Sequence, residues 1–358
     1  MKKSLALFII FITTIFYGCG NRLDLAVFPV TNNGGGINVS DTVYVQQYPV
    51  WGGFNYPRDI IVGNDQLIYV CDNNRIVQLD FAGDFLSTKL FASNIFPKKI
   101  SQDYNFDLLV LSDSISGSDT ITVLHRLKLV QGGGIVGNAR QISLISSLYP
   151  TPNSSKYRKF TAISMFPDNQ YIISRIGPSD PIGIDNGNTL LKMKGIESVT
   201  EVNKITGFQI SGNSFYSIEN TSGISVARNN TTDFILTRNT PDTTSLNKVI
   251  WYNYDNTNGA YNPKFTSPIE DWVNMKYGTP NAVTQDNNSN VYIIDALRNH
   301  LYKFNSSGKM LIESFGRYGT GDNQLNSPMG VAWYNKILYI ADAGNNRIVR
   351  FKLSTDLN

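Results

Sequence analysis

Two histidines, His125 and His300, are the side chains of this sequence best suited to proton transfer near neutral pH. His300 follows shortly after Asp295 in the stretch IIDALRNHLYKF, and a carboxylate beside an imidazole is a common acid–base arrangement. His125 alternates with apolar residues in TVLHRLKL, a pattern that predicts a strand. Because catalytic zinc usually takes three protein ligands, two histidines do not make a three-histidine zinc site.

The other reactive groups give no stronger indication of catalysis. Cys71 lies in the apolar run LIYVCD with no histidine nearby in the sequence, which favours a small buried hydrophobe over a nucleophile. The glycine-rich stretch QGGGIVG (131–137) is not followed by a helical pattern, so it predicts a hairpin or a flexible loop. The formal charge of +3 on 358 residues lacks the basic footprint of a nucleic-acid binder.

The amino terminus has the pattern of an export signal. Two lysines precede an apolar run from Leu5 to Tyr17, and Gly18-Cys19 follows. This segment resembles a bacterial lipoprotein signal, which implies cleavage after residue 18 and attachment of fatty acyl chains such as palmitate to Cys19. The alternative is an ordinary cleaved signal with an incidental cysteine. Gly20 differs from the Asp that marks inner-membrane retention in some bacteria, so the resemblance favours the outer membrane of the cell envelope.

Composition divides the remaining chain into two parts. Residues 19–40 contain TNNGGGINVS and few large apolar groups, which predicts a flexible tether. Residues 41–358 form the folded domain, and no second linker of this kind occurs within it. Aromatic residues make up 12% of the chain, and no long stretch has a sustained helical period, so the domain is predicted to be all-β.

A repeat runs through this domain. Three segments begin at Pro57, Pro280 and Pro328, and each has a Tyr-x-x-Asp run followed by Asn, a basic residue and an aliphatic residue. Weaker copies begin near residues 97, 160 and 223. The last position of this run is Asp in the three good copies, and the weaker copies have Asp or Arg there. In chain order the six residues at this position are Asp72, Asp113, Arg175, Arg238, Asp295 and Asp342.

Each copy reads as a series of short strands separated by polar turns, which is typical of a propeller blade. Six starts predict a six-bladed β-propeller; the long intervals leave a seventh blade as the alternative, for instance around ITGFQISGNSFYSIEN. The last copy has only three strands, and the isolated strand DTVYVQQYPVW precedes the first copy. We therefore expect this amino-terminal strand to complete the last blade and close the ring, because closure removes exposed sheet edges.

The three good copies resemble the NHL repeat, and Asn299-His300-Leu301 stands at the place that names it. This resemblance implies a propeller that serves as a binding platform for a protein, a peptide or a glycan. Some propeller relatives are hydrolases or lyases with an axial Ca²⁺ or a histidine-bound Zn²⁺. His300 aligns with Arg75 and Arg347 in the other copies, which indicates a basic group at a turn rather than a catalyst.

The repeated acidic position has two interpretations. A carboxylate at a strand end can accept backbone N–H groups in the next turn, and its recurrence in each good copy favours this structural role. Alternatively, these six residues ring the channel mouth and bind a ligand, with Arg175 and Arg238 forming a basic arc opposite an acidic one. Aromatic residues that precede the repeat prolines either pack between blades, which we favour, or face a ligand: Trp51, Phe54, Tyr56, Phe315 and Tyr318.

The sequence therefore predicts a monomeric, lipid-anchored, extracytoplasmic propeller that binds or scaffolds a protein, peptide or glycan, touches the membrane only through its anchor and binds no nucleic acid. This interpretation needs no cofactor and favours a non-enzymatic role. The alternative is a lactonase-like hydrolase or lyase, with Ca²⁺ held at the axis by carboxylates such as Asp113 or Asp295.

Replacing Cys19 by Ser tests the anchor. Without the thiol no acyl chain can be attached to sulfur, so we expect the protein to move from the membrane fraction to the soluble fraction on cell fractionation. Retention of the variant in the membrane fraction would show that another segment holds the protein there.

Overall fold

The computed structural model describes residues 42–148, 157–179, 187–228, 232–241 and 246–357. The predicted signal (1–18), Cys19 and the predicted tether (19–40) lie outside these ranges. Residues Thr42–Asn358 group into one compact unit. Within the described ranges, no helix has the length and apolar character needed to cross a membrane.

Twenty-three strands form six antiparallel sheets in the described residues, and each sheet is one blade of a propeller. Blades are numbered in chain order, and their strands are given from the channel outward. Blade 1 contains β2 (Pro57–Val62), β3 (Ile68–Asp72), β4 (Arg75–Leu79) and β5 (Phe85–Leu90), and blade 2 contains β6 (Ile95–Gln102), β7 (Leu108–Ser116), β8 (Asp119–Lys128) and β9 (Arg140–Ser146). Blade 3 contains β10 (Lys159–Met165), β11 (Tyr171–Ile176), β12 (Thr189–Lys194) and β13 (Glu201–Ile205), and blade 4 contains β14 (Thr221–Val226), β15 (Phe234–Arg238), β16 (Val249–Asp255) and β17 (Ala260–Pro263). Blade 5 contains β18 (Pro280–Gln285), β19 (Val291–Asp295) and β20 (His300–Phe304), and blade 6 contains β21 (Pro328–Tyr334), β22 (Ile337–Asp342), β23 (Arg347–Leu353) and β1 (Tyr44–Trp51).

Helical structure is confined to single turns in the described residues. The glycine-rich loop after β8 contains two 3-10 turns, Val130–Gly132 and Val136–Asn138, and not a phosphate cradle. One α-helical turn, α1 (Asp271–Asn274), precedes blade 5, and two further 3-10 turns lie at Ala343–Asn345 and Ser354–Asp356. In blade 5 an irregular segment replaces the fourth strand, with isolated bridges that join Leu301 to Phe315 and Phe304 to Met310.

The core consists of six apolar clusters, each between two neighbouring blades. At least five residues of the second strand of each blade are buried in succession, as in Ile68–Asp72, since both faces of the sheet pack against neighbours. This explains why these strands read as continuous apolar runs rather than as alternating ones. Each cluster contains one β-branched residue from an inner strand. These residues are Ile60, Ile100, Ile163, Ile224, Val283 and Val331.

The amino-terminal strand closes the ring as the sequence predicts. β1 pairs antiparallel with β23, from Tyr44 opposite Leu353 to Trp51 opposite Ile348. Tyr44 belongs to the cluster between blades 5 and 6, and Trp51 to the cluster between blades 6 and 1. Sequence-distant ends of the domain are therefore joined by both a strand ladder and two blade interfaces.

The six-bladed prediction is confirmed, and the seven-bladed alternative is not. The segment around ITGFQISGNSFYSIEN lies between β13 and β14, with a single isolated bridge between Gln209 and Ser217. It is the crossing from blade 3 to blade 4 rather than a sheet.

Loss of the closing strand should destabilise the domain strongly. The Trp51 ring lies 5.8 Å from that of Tyr339 and beneath the Arg350 guanidinium at 4.4 Å, so we expect Trp51→Ala to lower the free energy of unfolding by about 3–5 kcal/mol. Removing residues 41–52 should lower it further. Urea unfolding followed by tryptophan fluorescence measures both effects. Val43→Ala, at an exposed position next to β1, serves as the control; an unchanged midpoint for the Trp51 variant would contradict ring closure by β1.

Candidate functional site

The repeated acidic position connects consecutive blades through hydrogen bonds to the backbone. Asp72, at the end of β3, is fully buried and lies opposite Pro57 in the strand register. Its Oδ1 accepts the backbone N–H of Asn55 at 2.6 Å, and its Oδ2 accepts the Nε–H of Arg75 at 2.8 Å. Arg75 in turn donates to the Gly53 carbonyl at 2.7 Å. One buried ion pair therefore holds the segment that leads into the inner strand.

Blades 5 and 6 repeat this arrangement. Asp295 accepts the N–H groups of Gly278 at 2.6 Å and Thr279 at 2.9 Å. Asp342 accepts the N–H of Asn326 at 2.7 Å and the Nε–H of Arg347 at 2.7 Å. These carboxylates are saturated and have no exposed side-chain surface, so their structural role accounts for their recurrence.

His300 takes the place of the arginine in blade 5. Its Nδ1–H donates to the Gly316 carbonyl at 2.7 Å, as Arg75 and Arg347 donate to carbonyls in their blades. The prediction of a turn-side basic group agrees with this geometry. His125 lies on β8 as predicted, beside Ser143 and Gln141, and burial lowers its pKa to about 4. An imidazole with that pKa is neutral at physiological pH.

Arg238 performs the same task with reversed polarity, whereas Arg175 donates to the Gly187 carbonyl within its own blade at 3.4 Å. Arg238 lies opposite Thr221, the register place of Asp72, and is fully buried. It donates to the carbonyls of Glu219 at 3.0 Å and Gly212 at 2.7 Å, both in the crossing that leads into blade 4. Arg175 is equally buried and lies opposite Phe160. The proposed basic arc is thus a pair of buried guanidinium groups that hold loop carbonyls.

Asp113 does not occupy the equivalent position, which corrects the alignment of blade 2. The register places Ser112 opposite Pro97, while Asp113 lies opposite Phe96. Blade 2 has longer second and third strands than the other blades, so its strand continues past the aligned position. Asp113 is partly exposed and binds the Lys98 ammonium at 2.5 Å. It is the one candidate carboxylate of the four with exposed surface.

A β-bulge recurs at the start of all six inner strands. In each blade the register skips the residue that follows the Pro57-like position, so one residue per blade is left without a partner in the ladder. Bulges redirect side chains and are frequent at the rims of barrels and beside functional sites. In each inner strand the bulge residue comes just before the part of the strand that lines the channel, so the six bulge residues surround one end of it. We call this set the mouth ring: Arg58, Lys98, Thr161, Ser222, Asn281 and Met329.

The mouth ring is electrostatically asymmetric. Arg58 and Lys98 are adjacent cations in blades 1 and 2, and Lys159 in blade 3 adds a third. Burial lowers the pKa of Lys98, and repulsion from Lys159 and Arg58 adds to the decrease, although Asp113 opposes it. Burial also lowers the pKa of Lys159. Cations held together under mutual repulsion favour the binding of an anion.

Two groups of the mouth ring have unused hydrogen-bonding capacity. The Arg58 Nε and the Thr161 Oγ1 are buried and have no partner among the described residues. The Arg58 guanidinium lies 5.9 Å from the ring centres of Tyr56 and Phe96. Tyr56 and Tyr157 are largely exposed, at 41% and 71%. Buried polar groups without partners destabilise a fold unless a water or a ligand satisfies them.

Of the five aromatic residues that precede repeat prolines, three pack between blades and two are exposed. Trp51 and Phe54 are buried between blades, and Phe315 packs against the cluster between blades 5 and 6. Tyr56 and Tyr318 are exposed, and of these Tyr56 contacts the mouth ring through Arg58.

The channel below the mouth ring is narrow. Its cavity has a volume of about 140 Å³, which admits a few waters and not a sugar or a peptide. The Lys99 ammonium crosses from blade 2 to donate to the Asn281 carbonyl in blade 5 at 2.9 Å. Asp59 accepts the N–H of Ile100 at 3.0 Å and is buried. A ligand that enters from this side is therefore stopped near the mouth ring.

The described residues do not fit an axial calcium site. Ca²⁺ takes six to eight oxygen ligands, whereas the channel presents Asp59 beside the cation Lys99. Asp113 and Asp295 lie on second strands, and neither side chain lines the channel cavity. Among the described residues, no group of three or more His, Cys, Asp or Glu side chains comes together.

The bulges could not be found from the sequence alone. Each one depends on the pairing of two strands, and the residue concerned has no common type among the six blades. The only signal was its place immediately after the repeat Pro in Arg58, Lys98, Asn281 and Met329.

Comparisons with known proteins support the fold and leave the family open. No protein-family model matches this sequence, and no curated protein matches it. Among solved structures, an auxiliary nutrient binding protein from Bacteroides thetaiotaomicron has 10% identity and a TM-score of 0.59 over 87% of this chain and 76% of its own. A protein of unknown function from the same organism has 13% identity and a TM-score of 0.57, over 88% and 77%. A luciferin-regenerating enzyme has 12% identity and a TM-score of 0.58, over 87% and 95%. At such identities the likeness concerns the propeller fold.

The buried carboxylates should matter for stability far more than surface carboxylates do. Asp342→Ala removes the acceptor of the Asn326 N–H and of the Arg347 Nε–H and leaves a largely buried guanidinium without its counter-ion, so we expect the free energy of unfolding to fall by about 3 kcal/mol or more. Asp356→Ala removes an acid that pairs with the exposed Lys336 and should cost less than about 1 kcal/mol. Equal urea midpoints for the two variants would contradict the structural role of Asp342.

Proposed function

We propose that this protein is a lipid-anchored, extracytoplasmic binding protein that holds an anionic ligand at the mouth ring. The observation that carries the proposal is the asymmetric ring itself, in which Arg58 and Lys98 adjoin polar residues above a channel too narrow for the ligand to enter. A cationic, partly desolvated concavity attracts an anion more strongly than an exposed patch of the same charge does.

The ligand contacts follow from the chemistry of the ring. The Arg58 guanidinium has an unused Nε–H and can hold one edge of a carboxylate, since planar donors suit planar acceptors. Lys98 supplies a compact charge beside it, and Thr161 supplies a hydroxyl that has no partner among the described residues. Exposed Tyr56 offers an apolar face next to these polar groups. An acidic glycan or the carboxylate of a peptide fits this set, and of the two we favour the acidic glycan.

Asp113 remains a predicted ligand residue, but its role differs from the one expected. It pairs with Lys98 at 2.5 Å and so competes with the ligand for that ammonium. The other five predicted residues act indirectly in this proposal: they fix the loops that carry the mouth, namely Asp72, Arg175, Arg238, Asp295 and Asp342.

The proposed setting is the bacterial cell envelope. The support is the resemblance of residues 1–19 to a lipoprotein signal, with Cys19 as the acylated residue and the outer membrane as the favoured location. The likeness to a nutrient binding protein agrees with a ligand-binding role on that surface. A tether of about twenty residues would let the propeller reach its ligand away from the membrane.

Removing a cation of the mouth ring should weaken anion binding selectively. We expect Lys98→Ala and Arg58→Ala each to raise the Kd for an oligomer of uronic acid about tenfold or more, because each loses one charge-assisted hydrogen bond. Lys309→Ala, at an exposed lysine on a different loop, should leave the Kd unchanged. Isothermal titration calorimetry at low salt measures all three. Equal affinities for the Lys98 and Lys309 variants would place the ligand elsewhere.

Anion binding should also depend on pH in a defined direction. The pKa of Lys98 is lowered in the free protein, so its charge is lost at a lower pH than that of an ordinary lysine. An anion binds the protonated form better, so the affinity should be greatest below that pKa and should fall as the pH rises through it, with proton uptake on binding. Calorimetry in two buffers of different ionisation enthalpy detects this uptake, and the Lys98→Ala variant should lack it. Uptake that persists in the variant would assign the titration to another group.

A further inference from the structure

A second concavity lies away from the mouth, between blades 2 and 3. It has a volume of about 530 Å³, against about 140 Å³ for the channel, which is within the usual range of small-ligand sites. It lies on the opposite face of the ring, because the turns that join first and second strands form its walls. We call it the lateral groove; its lining comprises Asp103, Asn105, Arg126, Asp168, Asn169, Lys194, Gly195, Ile196, Glu197, Ser198 and Thr200.

Buried ion pairs fix the walls of the lateral groove. Arg126 is 1% exposed; it binds the Asp103 carboxylate in its own blade and donates to the Gly195 carbonyl of blade 3 at 3.0 Å. Lys128 binds Asp107 at 2.6 Å in the same network. A buried ion pair contributes little net stability, so its clearest effect here is to hold two loops of different blades in one position. A preorganised site loses less entropy when it binds a ligand.

The lateral groove is close to neutral overall. The Asp103 carboxylate is paired with Arg126, and Glu197 is paired with Arg140 through two contacts of 2.8 and 2.9 Å. The remaining charged side chains of the lining are one acid, Asp168, and one base, Lys194. This balance disfavours strongly charged ligands, in contrast to the mouth ring.

Several lining groups retain hydrogen-bonding capacity. Within the described part of the chain, the side chains of Lys194 and Ser198 make no hydrogen bond and are exposed. Asn169 accepts the Tyr104 N–H through its Oδ1, which leaves its amide N–H groups available. Ile196 is 47% exposed and adds an apolar surface. Closely spaced donors and acceptors beside one apolar face suit a ring that carries many hydroxyl groups.

The neighbouring groove between blades 1 and 2 provides an internal comparison. Gln78 takes the place of Arg126 there and donates to the Gly134 carbonyl at 2.7 Å, so the loop is held in the same way. Its lining includes Phe106 and the exposed Val130, and its one acid, Asp65, already accepts from Tyr69 and Gln102. The cross-blade contact therefore occurs in both grooves, whereas the exposed Lys194 and the acid Asp168 are found only in the lining of the lateral groove.

We infer that the lateral groove is a second binding site, for a neutral oligosaccharide. The inference is independent of the mouth ring, since the two sites lie on opposite faces and use different residues. The Asp168 carboxylate would accept hydrogen bonds from sugar hydroxyl groups, and the Lys194 ammonium would donate to them. Ile196 would pack against the C–H face of a sugar ring. Arg126 is a positioning residue, because its side chain is buried and holds the walls.

The test is a binding screen of the folded domain against neutral oligosaccharides of two to four hexose units. We expect saturable binding of at least one of them, and Ser198→Trp, which places a bulky ring in the groove, should abolish it. Lys194→Ala should weaken the same binding about fivefold or more. Ser306→Trp, at an exposed turn of blade 5, is the matched control and should bind as the unaltered protein does.

The mouth ring variant separates the two proposals. Lys98→Ala should leave neutral oligosaccharide binding unchanged, while Ser198→Trp should leave binding of the uronic acid oligomer unchanged. Absence of binding across the neutral panel, or binding that survives Ser198→Trp, would overturn the second site without affecting the first. Circular dichroism and urea midpoints establish that each variant is folded.

Discussion

In blades 1, 4, 5 and 6 the structure depends on a buried hydrogen-bonding side chain at the end of the second strand. In a propeller the chain must cross from the outer edge of one blade to the inner edge of the next. The backbone N–H and C=O groups of this crossing have no partner strand, so side chains must supply their hydrogen bonds. Asp72, Asp295 and Asp342 accept its N–H groups, and Arg238 binds its carbonyls. Because either polarity of the backbone can be satisfied, a blade retains its geometry whether the position holds a carboxylate or a guanidinium.

This equivalence explains what the sequence could and could not predict. The repeat, the blade count, the closing strand and the structural role of His300 follow from residue types and spacing that recur. The sequence could not decide whether Arg175 and Arg238 form a ligand-binding arc. An Arg in place of Asp in a weak repeat copy looks the same in sequence whether its side chain faces a ligand or a backbone carbonyl. Burial distinguishes the two cases, and burial depends on the packed loops.

The mouth ring and the lateral groove were beyond prediction for related reasons. A bulge is a property of two paired strands, and the alignment of blade 2 was displaced by one residue at Asp113. The lateral groove combines turns of two blades whose sequences show no common motif. In both places the repeated scaffold is the same in neighbouring blades, and the side chains mounted on it differ. Binding specificity in this fold is therefore set by residues that the repeat does not constrain.

A crystal structure of the domain with an oligomer of uronic acid would show whether an anion binds at the mouth ring. We expect a carboxylate within hydrogen-bonding distance of the Arg58 Nε and the Lys98 ammonium, on the mouth side of Lys99. A carboxylate bound at another part of the surface, with the Arg58 Nε still without a ligand partner, would contradict it.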